Sequence, residues 1–247
     1  MKKFLPALLL ASVSLLPLAA YADDATHSDV YNFFANPSGS VAFTSDYVFR
    51  GITQSDERFA AQGALNFGQS TGPYLGFWGS NVDFNDGDEA TVEIDVSGGY
   101  KWNWGPVAMD AGAVYYAYPG ASSNLDYDYW EGKLAASAPL GPVTFTGSAF
   151  VSPDYFAGSD TAVYLNGAAS VPVFDTGFTA NAAVGHQWID DEASFGVPDY
   201  TDWTAGVSYA WEKFTFGVSY YDTNLGKADC ADGCESRVVG TITRTFP

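Results

Sequence analysis

Basic residues are scarce in this chain. Lys and Arg number 10 against 29 Asp and Glu over 247 residues, with 2 His and 2 Cys. A formal net charge of −19 repels phosphate, which argues against nucleic acid as a partner. Charged residues of both signs make up 16%, below the quarter usual in globular proteins. There is no G-x-S-x-G, no P-loop and no H-E-x-x-H. His27 precedes the patterned part of the chain, and His186 alternates with apolar neighbours beside Trp188, without a Ser or Asp partner on its face. Enzymatic chemistry and a resident cofactor or metal are therefore not expected. Beyond residue 22 no run of eighteen apolar residues occurs, so no helix is expected to span a bilayer. Aromatics, by contrast, are abundant at 17% (16 Tyr, 18 Phe and 7 Trp), with 26 Gly, which excludes a disordered chain.

The first 22 residues read as a cleaved secretory leader. Lys2 and Lys3 form a basic start, Phe4 to Leu18 is apolar, and Ala20-Tyr21-Ala22 is an A-x-A cleavage site. The chain from Asp23 then carries 8 basic against 29 acidic residues, a charge of −21. An exported chain without a spanning helix is either soluble or crosses a membrane as a closed barrel. Residues 23–38 form a separate N-terminal segment. A helical turn at 28–34, in the periplasm or folded into a lumen, fits it equally well.

From residue 39 to 247 the dominant signal is alternation. Val92, Ile94 and Val96 interleave with Glu93, Asp95 and Ser97; Trp203, Ala205 and Val207 interleave with Asp202, Thr204 and Ser208. A period of two means strands with one apolar and one polar face. Twelve such segments are predicted, near 40–50, 59–69, 73–84, 90–102, 106–118, 127–138, 142–152, 161–171, 177–188, 200–211, 213–223 and 236–246. Each has about the ten residues that a tilted transmembrane strand needs. The first segment is read as placing Val41, Phe43, Tyr47 and Phe49 on one face. Connections alternate between short turns and long acidic loops, the first long loop being Gly51 to Arg58. That is the signature of a transmembrane antiparallel up-and-down β-barrel, all-β, of about twelve strands, with a soluble sandwich as the alternative. Aromatics near strand ends, among them Phe49, Tyr74, Phe84, Tyr127, Trp188 and Trp211, suit two interfacial girdles.

Several motifs make the resemblance specific. They are Thr44-Ser-Asp-Tyr-Val-Phe-Arg-Gly-Ile-Thr-Gln-Ser-Asp56, Ser80-Asn-Val-Asp-Phe84, Ser152-Pro-Asp-Tyr-Phe156, Tyr200-Thr-Asp-Trp203 and Tyr220-Tyr-Asp-Thr-Asn-Leu225. A last strand, Arg237 to Phe246, closes on an aromatic. Over nearly its whole length the chain resembles the TorF-type porin family. The resemblance implies an outer-membrane barrel of a Gram-negative bacterium and little about cargo. The expected partners are outer-membrane lipid and lipopolysaccharide, the barrel-assembly machinery and small hydrophilic solutes; the oligomeric state stays open.

Alternation assigns Asp46, Arg50, Asn81, Asp83, Glu93, Asp95, Asp110, Glu131, Lys133, Asp202 and Arg237 to the lumen, because charges facing lipid are costly. Two readings follow. In one, a water-filled porin-like channel passes small hydrophilic solutes and its acidic lining favours cations. In the other, the same residues bond across a closed barrel with a structural, adhesion or accessory role. Cys230 and Cys234 bracket Ala-Asp-Gly in the last long loop, a spacing expected to form a disulfide in an oxidising compartment. Asp190, Asp191 and Glu192 offer hard oxygens for a divalent ion, or else simply a solvated loop.

Overall fold

Alternating sequence with short Gly-containing turns folds here into one sheet that closes on itself. The computed structural model describes residues 33–34, 37–85, 87 and 90–247. The leader at 1–22, most of the 23–38 segment, and Asp86, Asp88 and Glu89 lie outside the described residues. Twelve antiparallel strands form the wall: β1 (Ser38–Thr44), β4 (Ala60–Gly68), β5 (Gly72–Asn81), β6 (Val92–Trp104), β7 (Val107–Ala117), β8 (Tyr129–Leu140), β9 (Val143–Ser152), β10 (Ala162–Pro172), β11 (Phe178–Ile189), β12 (Tyr200–Trp211), β13 (Phe214–Thr223) and β14 (Arg237–Phe246). Each pairs with its sequence neighbours, and β1 closes the ring by pairing with both β14 (Gly39 opposite Phe246) and β4 (Ser38 opposite Asn66). Two short strands, β2 (Val48–Phe49) and β3 (Ile52–Thr53), pair only with each other.

The connections sort by length onto the two rims. Those at one end, such as 105–106, 141–142 and 212–213, have two to five residues; those at the other, such as 45–59 and 224–236, have nine to fifteen. Side chains outside the wall are apolar and exposed, while their strand neighbours are polar or small and covered. Val207 is 46% exposed and Ser208 only 6%. A closed sheet has no edge, and an apolar belt over its outer surface satisfies lipid, so the fold is a transmembrane barrel. Among the described residues no helix is long and apolar enough to cross a membrane.

The first predicted strand is the clearest departure. It was expected to run through residue 50, but β1 ends at Thr44, whose hydroxyl donates to the carbonyl oxygen of Asp46 at 2.7 Å. Beyond Ser45 the chain turns inward and is covered through Ser55, returning to the surface at Glu57. β2 and β3 form a hairpin with Arg50-Gly51 as its two-residue tip. The tip has φ of +47° and +83°, both of the sign a two-residue hairpin turn requires. A Cβ on Gly51 would strike Thr223 Cγ2 and approach Asp202 Cβ to 2.9 Å, so the tip lies against the inner wall. Tyr47 and Phe49, expected on the outer apolar face, are buried inside the barrel with this hairpin. The alternation of Val-Phe-Arg-Gly-Ile-Thr fits a strand crossing lipid and a small hairpin equally well.

Candidate functional site: a hairpin latched inside the barrel

Arg50 sits at the centre of the inner constellation. It is fixed by the hairpin tip rather than by a barrel strand. Its Nη2 donates to Glu131 Oε2 at 2.6 Å, and its Nη1 donates to Gln187 Oε1 at 2.7 Å and to the Tyr155 hydroxyl at 3.4 Å. Glu131 Oε2 also accepts from the Tyr116 hydroxyl at 3.1 Å. Aromatic rings wall the guanidinium: its carbon lies 4.2 Å from the ring centre of Tyr164, 4.7 Å from Phe49 and 5.3 Å from Phe150. Arg50, Glu131 and Gln187 are covered almost completely. A planar cation with several fixed donors is suited to such enclosure.

Tyr164 is positioned by a glycine across the strand pair. A Cβ on Gly185 would overlap the Tyr164 hydroxyl, so the missing side chain makes room for the ring. The Tyr164 hydroxyl then donates to Asp202 at 2.9 Å. At the base of the hairpin, Asp46 accepts from Arg237 at 2.9 Å, from Thr53 at 2.5 Å and from the Ser55 hydroxyl at 3.0 Å. The Tyr47 hydroxyl donates to Glu93 at 3.1 Å. The hairpin is thus tied to β6, β8, β11 and β14. Nearer the short turns, Lys133 pairs with Asp110 at 2.7 Å, Tyr74 donates to Asp110 at 3.0 Å, and the Lys101 ammonium lies 4.6 Å from the Tyr74 ring centre.

Nine of the residues assigned inward by alternation point into the barrel: Asp46, Arg50, Glu93, Asp95, Asp110, Glu131, Lys133, Asp202 and Arg237. Two do not. Asn81 is exposed and has the same parity on β5 as the outward Phe77; its Oδ1 accepts from the Ala61 amide at the rim. The expected phase slips there because Ser80, not Asn81, is the buried neighbour. Asp83 lies beyond β5 in a loop, where it accepts from Arg58 at 2.7 Å. Asp46 and Arg50, four residues apart, do not pair with each other but with separate partners. Tyr74, expected in an interfacial girdle, points inward. Tyr116, Tyr164, Gln187 and Lys101 complete the inner network; they share the inward parity of their strands, but alternation alone does not mark a neutral residue or a strand-end lysine as part of a site. Of the acidic run at 190–192, Asp191 caps the helical turn Glu192–Phe195, and Glu192 accepts from the Asp199 amide. Hydrogen bonds from Ser194 hold the Asp191 carboxyl below the usual range.

Three ion pairs, Arg50–Glu131, Lys133–Asp110 and Arg237–Asp46, neutralise much of the interior. Glu93, Asp95 and Asp202 form no ion pair among the described residues. One oxygen each of Glu93 and Asp95 is buried without a hydrogen-bond partner. Above the hairpin, at the long-loop end, lies a cavity of about 490 Å³ whose lining includes nine aromatic residues. Burial pushes the Tyr155 hydroxyl there up to about 12, and burial beside Glu93 raises that of Tyr118. Both phenols stay neutral in any physiological medium. Cys230 and Cys234, joined by a disulfide, form part of the rim. Their loop meets the hairpin where the Thr53 amide donates to the Gly233 carbonyl at 3.0 Å.

Residues 27–246 match the Gcw_chp family, described as bacterial protein of unknown function. The chain belongs to that family. No curated protein matches it. Among solved structures, this Gcw_chp chain is similar to the NanC porin, with a TM-score of 0.56 and 10% identity over 86% of this chain and 100% of the other. It is also similar to a structure from work on the in-meso crystallization of membrane proteins, with a TM-score of 0.54 and 8% identity over 85% and 83% of the two chains. At such identities the likeness is one of fold. The TorF-type name comes with neither comparison.

Proposed function

We propose that this protein is an outer-membrane channel for small hydrophilic solutes, held closed at its outer end by the β2–β3 hairpin. The observation that carries the reading is the latch. A transmembrane wall encloses an interior rich in ionisable groups, and the obstruction is a loop attached at two ends rather than part of the wall. The TorF-type motifs and the fold shared with the NanC porin support it. The long loops face the cell exterior, the start of β1 and the end of β14 lie at the periplasmic rim, and the leader at 1–22 directs export in a Gram-negative cell. Outer-membrane lipid and lipopolysaccharide surround the belt after insertion by the barrel-assembly machinery.

The open form favours cations. Glu93, Asp95 and Asp202 are inward carboxylates with no paired base among the described residues, and a low-dielectric wall focuses their field. In planar bilayers under a salt gradient at low ionic strength, the reversal potential should show K⁺ preferred over Cl⁻. Glu93→Gln with Asp95→Asn should weaken the preference, and 1 M salt should erase it as the Debye length falls to about 3 Å. Anion preference would instead place control with Arg50, Lys101, Lys133 and Arg237. The second reading, a closed barrel with a structural or adhesive role, draws on the depth of the Arg50 network; absence of conductance even after the hairpin is replaced would favour it.

A further inference from the structure

The cavity above the hairpin is lined by residues of all six long connections, the hairpin's own among them. Phe156, after β9, is its hub: its ring stacks on Tyr127 at 4.4 Å between centres and meets Phe84 at 5.5 Å, Tyr118 at 5.6 Å and Phe195 at 6.5 Å. The floor is the hairpin itself, through Phe49 and Ile52. Asp56, Asp83 and Asp232 contribute carboxylates, and none of the described lining residues is Lys or Arg. Arg58, outside the lining, pairs with Asp56 and Asp83 and has a side chain 64% exposed, so it offsets those two carboxylates from the solvent side. A volume of about 490 Å³ is that of a small-molecule site.

Aromatic faces carry negative potential and hold cations without metal-like coordination. One layer deeper, the same molecule encloses the Arg50 guanidinium between rings, Tyr155 being shared by that cage and the cavity above. The upper cavity has the rings and the carboxylates of such a cage and no cation of its own among the described lining residues. We propose that it is a binding site for an organic cation, a quaternary or alkylated ammonium group on a small apolar body. A sugar would also stack on these rings. Asp232, which has no ion pair among the described residues, the negative faces of the rings and the strongly acidic chain favour a positive ligand over a neutral one. The site's outward orientation rests on the channel reading; ligand binding itself does not.

The test therefore uses the full chain in detergent, where no conduction is needed. Titration calorimetry with benzyltrimethylammonium should show saturable binding. Benzyl alcohol should bind at least tenfold more weakly, and benzenesulfonate and maltose not at all. Phe156→Leu should weaken binding of the ammonium at least threefold. Because that change disturbs the packing of the loops, Asp56→Asn with Asp83→Asn provides a second variant, which should weaken binding and flatten its salt dependence. Equal binding of alcohol and ammonium would mean an apolar hole and overturn the proposal. Tighter binding of maltose would make it a sugar site, and ammonium binding unchanged in both variants would place the ligand elsewhere. A protein that conducts once the hairpin is replaced but binds none of the probes refutes the site and leaves the channel reading standing; one that binds benzyltrimethylammonium as expected but conducts neither with the hairpin nor without it does the reverse.

Discussion

Arg50 concentrates more interactions than any other side chain described here, and its removal is the sharpest single-residue test. Arg50→Met leaves Glu131 buried with only the Tyr116 hydroxyl to satisfy it. Breaking one half of a buried pair costs about 3–5 kcal/mol. That loss should appear in denaturant unfolding from lipid, chiefly as undocking of the hairpin. Adding Glu131→Gln should recover most of it, because the orphaned charge disappears while Tyr116 keeps an acceptor; a double-mutant cycle measures the coupling. Strict additivity of the two changes would contradict the latch. Gly185→Ala addresses the neighbouring support. The new Cβ displaces the Tyr164 hydroxyl from Asp202, at about the 1–3 kcal/mol typical of overpacking. No loss of stability would show that the ring has room to spare.

Among the elements, the barrel strands were legible and the hairpin was not. Period-two alternation identifies strands because lipid and lumen impose opposite requirements on successive residues. From β4 to β14 the observed barrel strands begin and end within a few residues of expectation. The same rule misleads at residues 45–59, since an inward hairpin also alternates, and the φ-positive Arg50-Gly51 tip was read as a strand end. The site was legible where charge and parity coincide, as at Glu93, Asp110, Glu131 and Lys133. It was illegible where a neutral residue closes the network, as Gln187 and Tyr164 do. Strand faces are tested by a pair of charge insertions. Val207→Arg should destabilise by about 2–4 kcal/mol if it sits at the midplane of the bilayer. Ser208→Arg should be milder unless the lumen is tightly filled. The Cys230–Cys234 bridge closes a small loop, so its effect should fall below the ~3 kcal/mol of a fifteen-residue loop. Cys230→Ser with Cys234→Ser should leave the barrel folded and speed hydrogen exchange at the Thr53 amide, which that loop holds. Unchanged exchange would separate the bridge from the hairpin.

For the molecule as a whole, wall and stopper are separate structures made by one chain. The wall is a closed sheet whose backbone groups pair internally. The stopper is a loop tied to the wall by the ion pairs Arg50–Glu131 and Asp46–Arg237, by hydrogen bonds, and by the packing of Tyr47, Val48 and Phe49 against inner-wall residues. β2 and β3 pair only with each other and not with the strands of the wall, which is the physical basis for proposing the hairpin as a gate. Single-channel recording of the intact protein beside a variant in which 46–57 is replaced by a short Gly-Ser linker tests this most directly. The wild type should be silent or show brief, rare openings, and the variant should conduct steadily. Equal conductance in the two, or silence in a variant that still folds and inserts, would contradict the account.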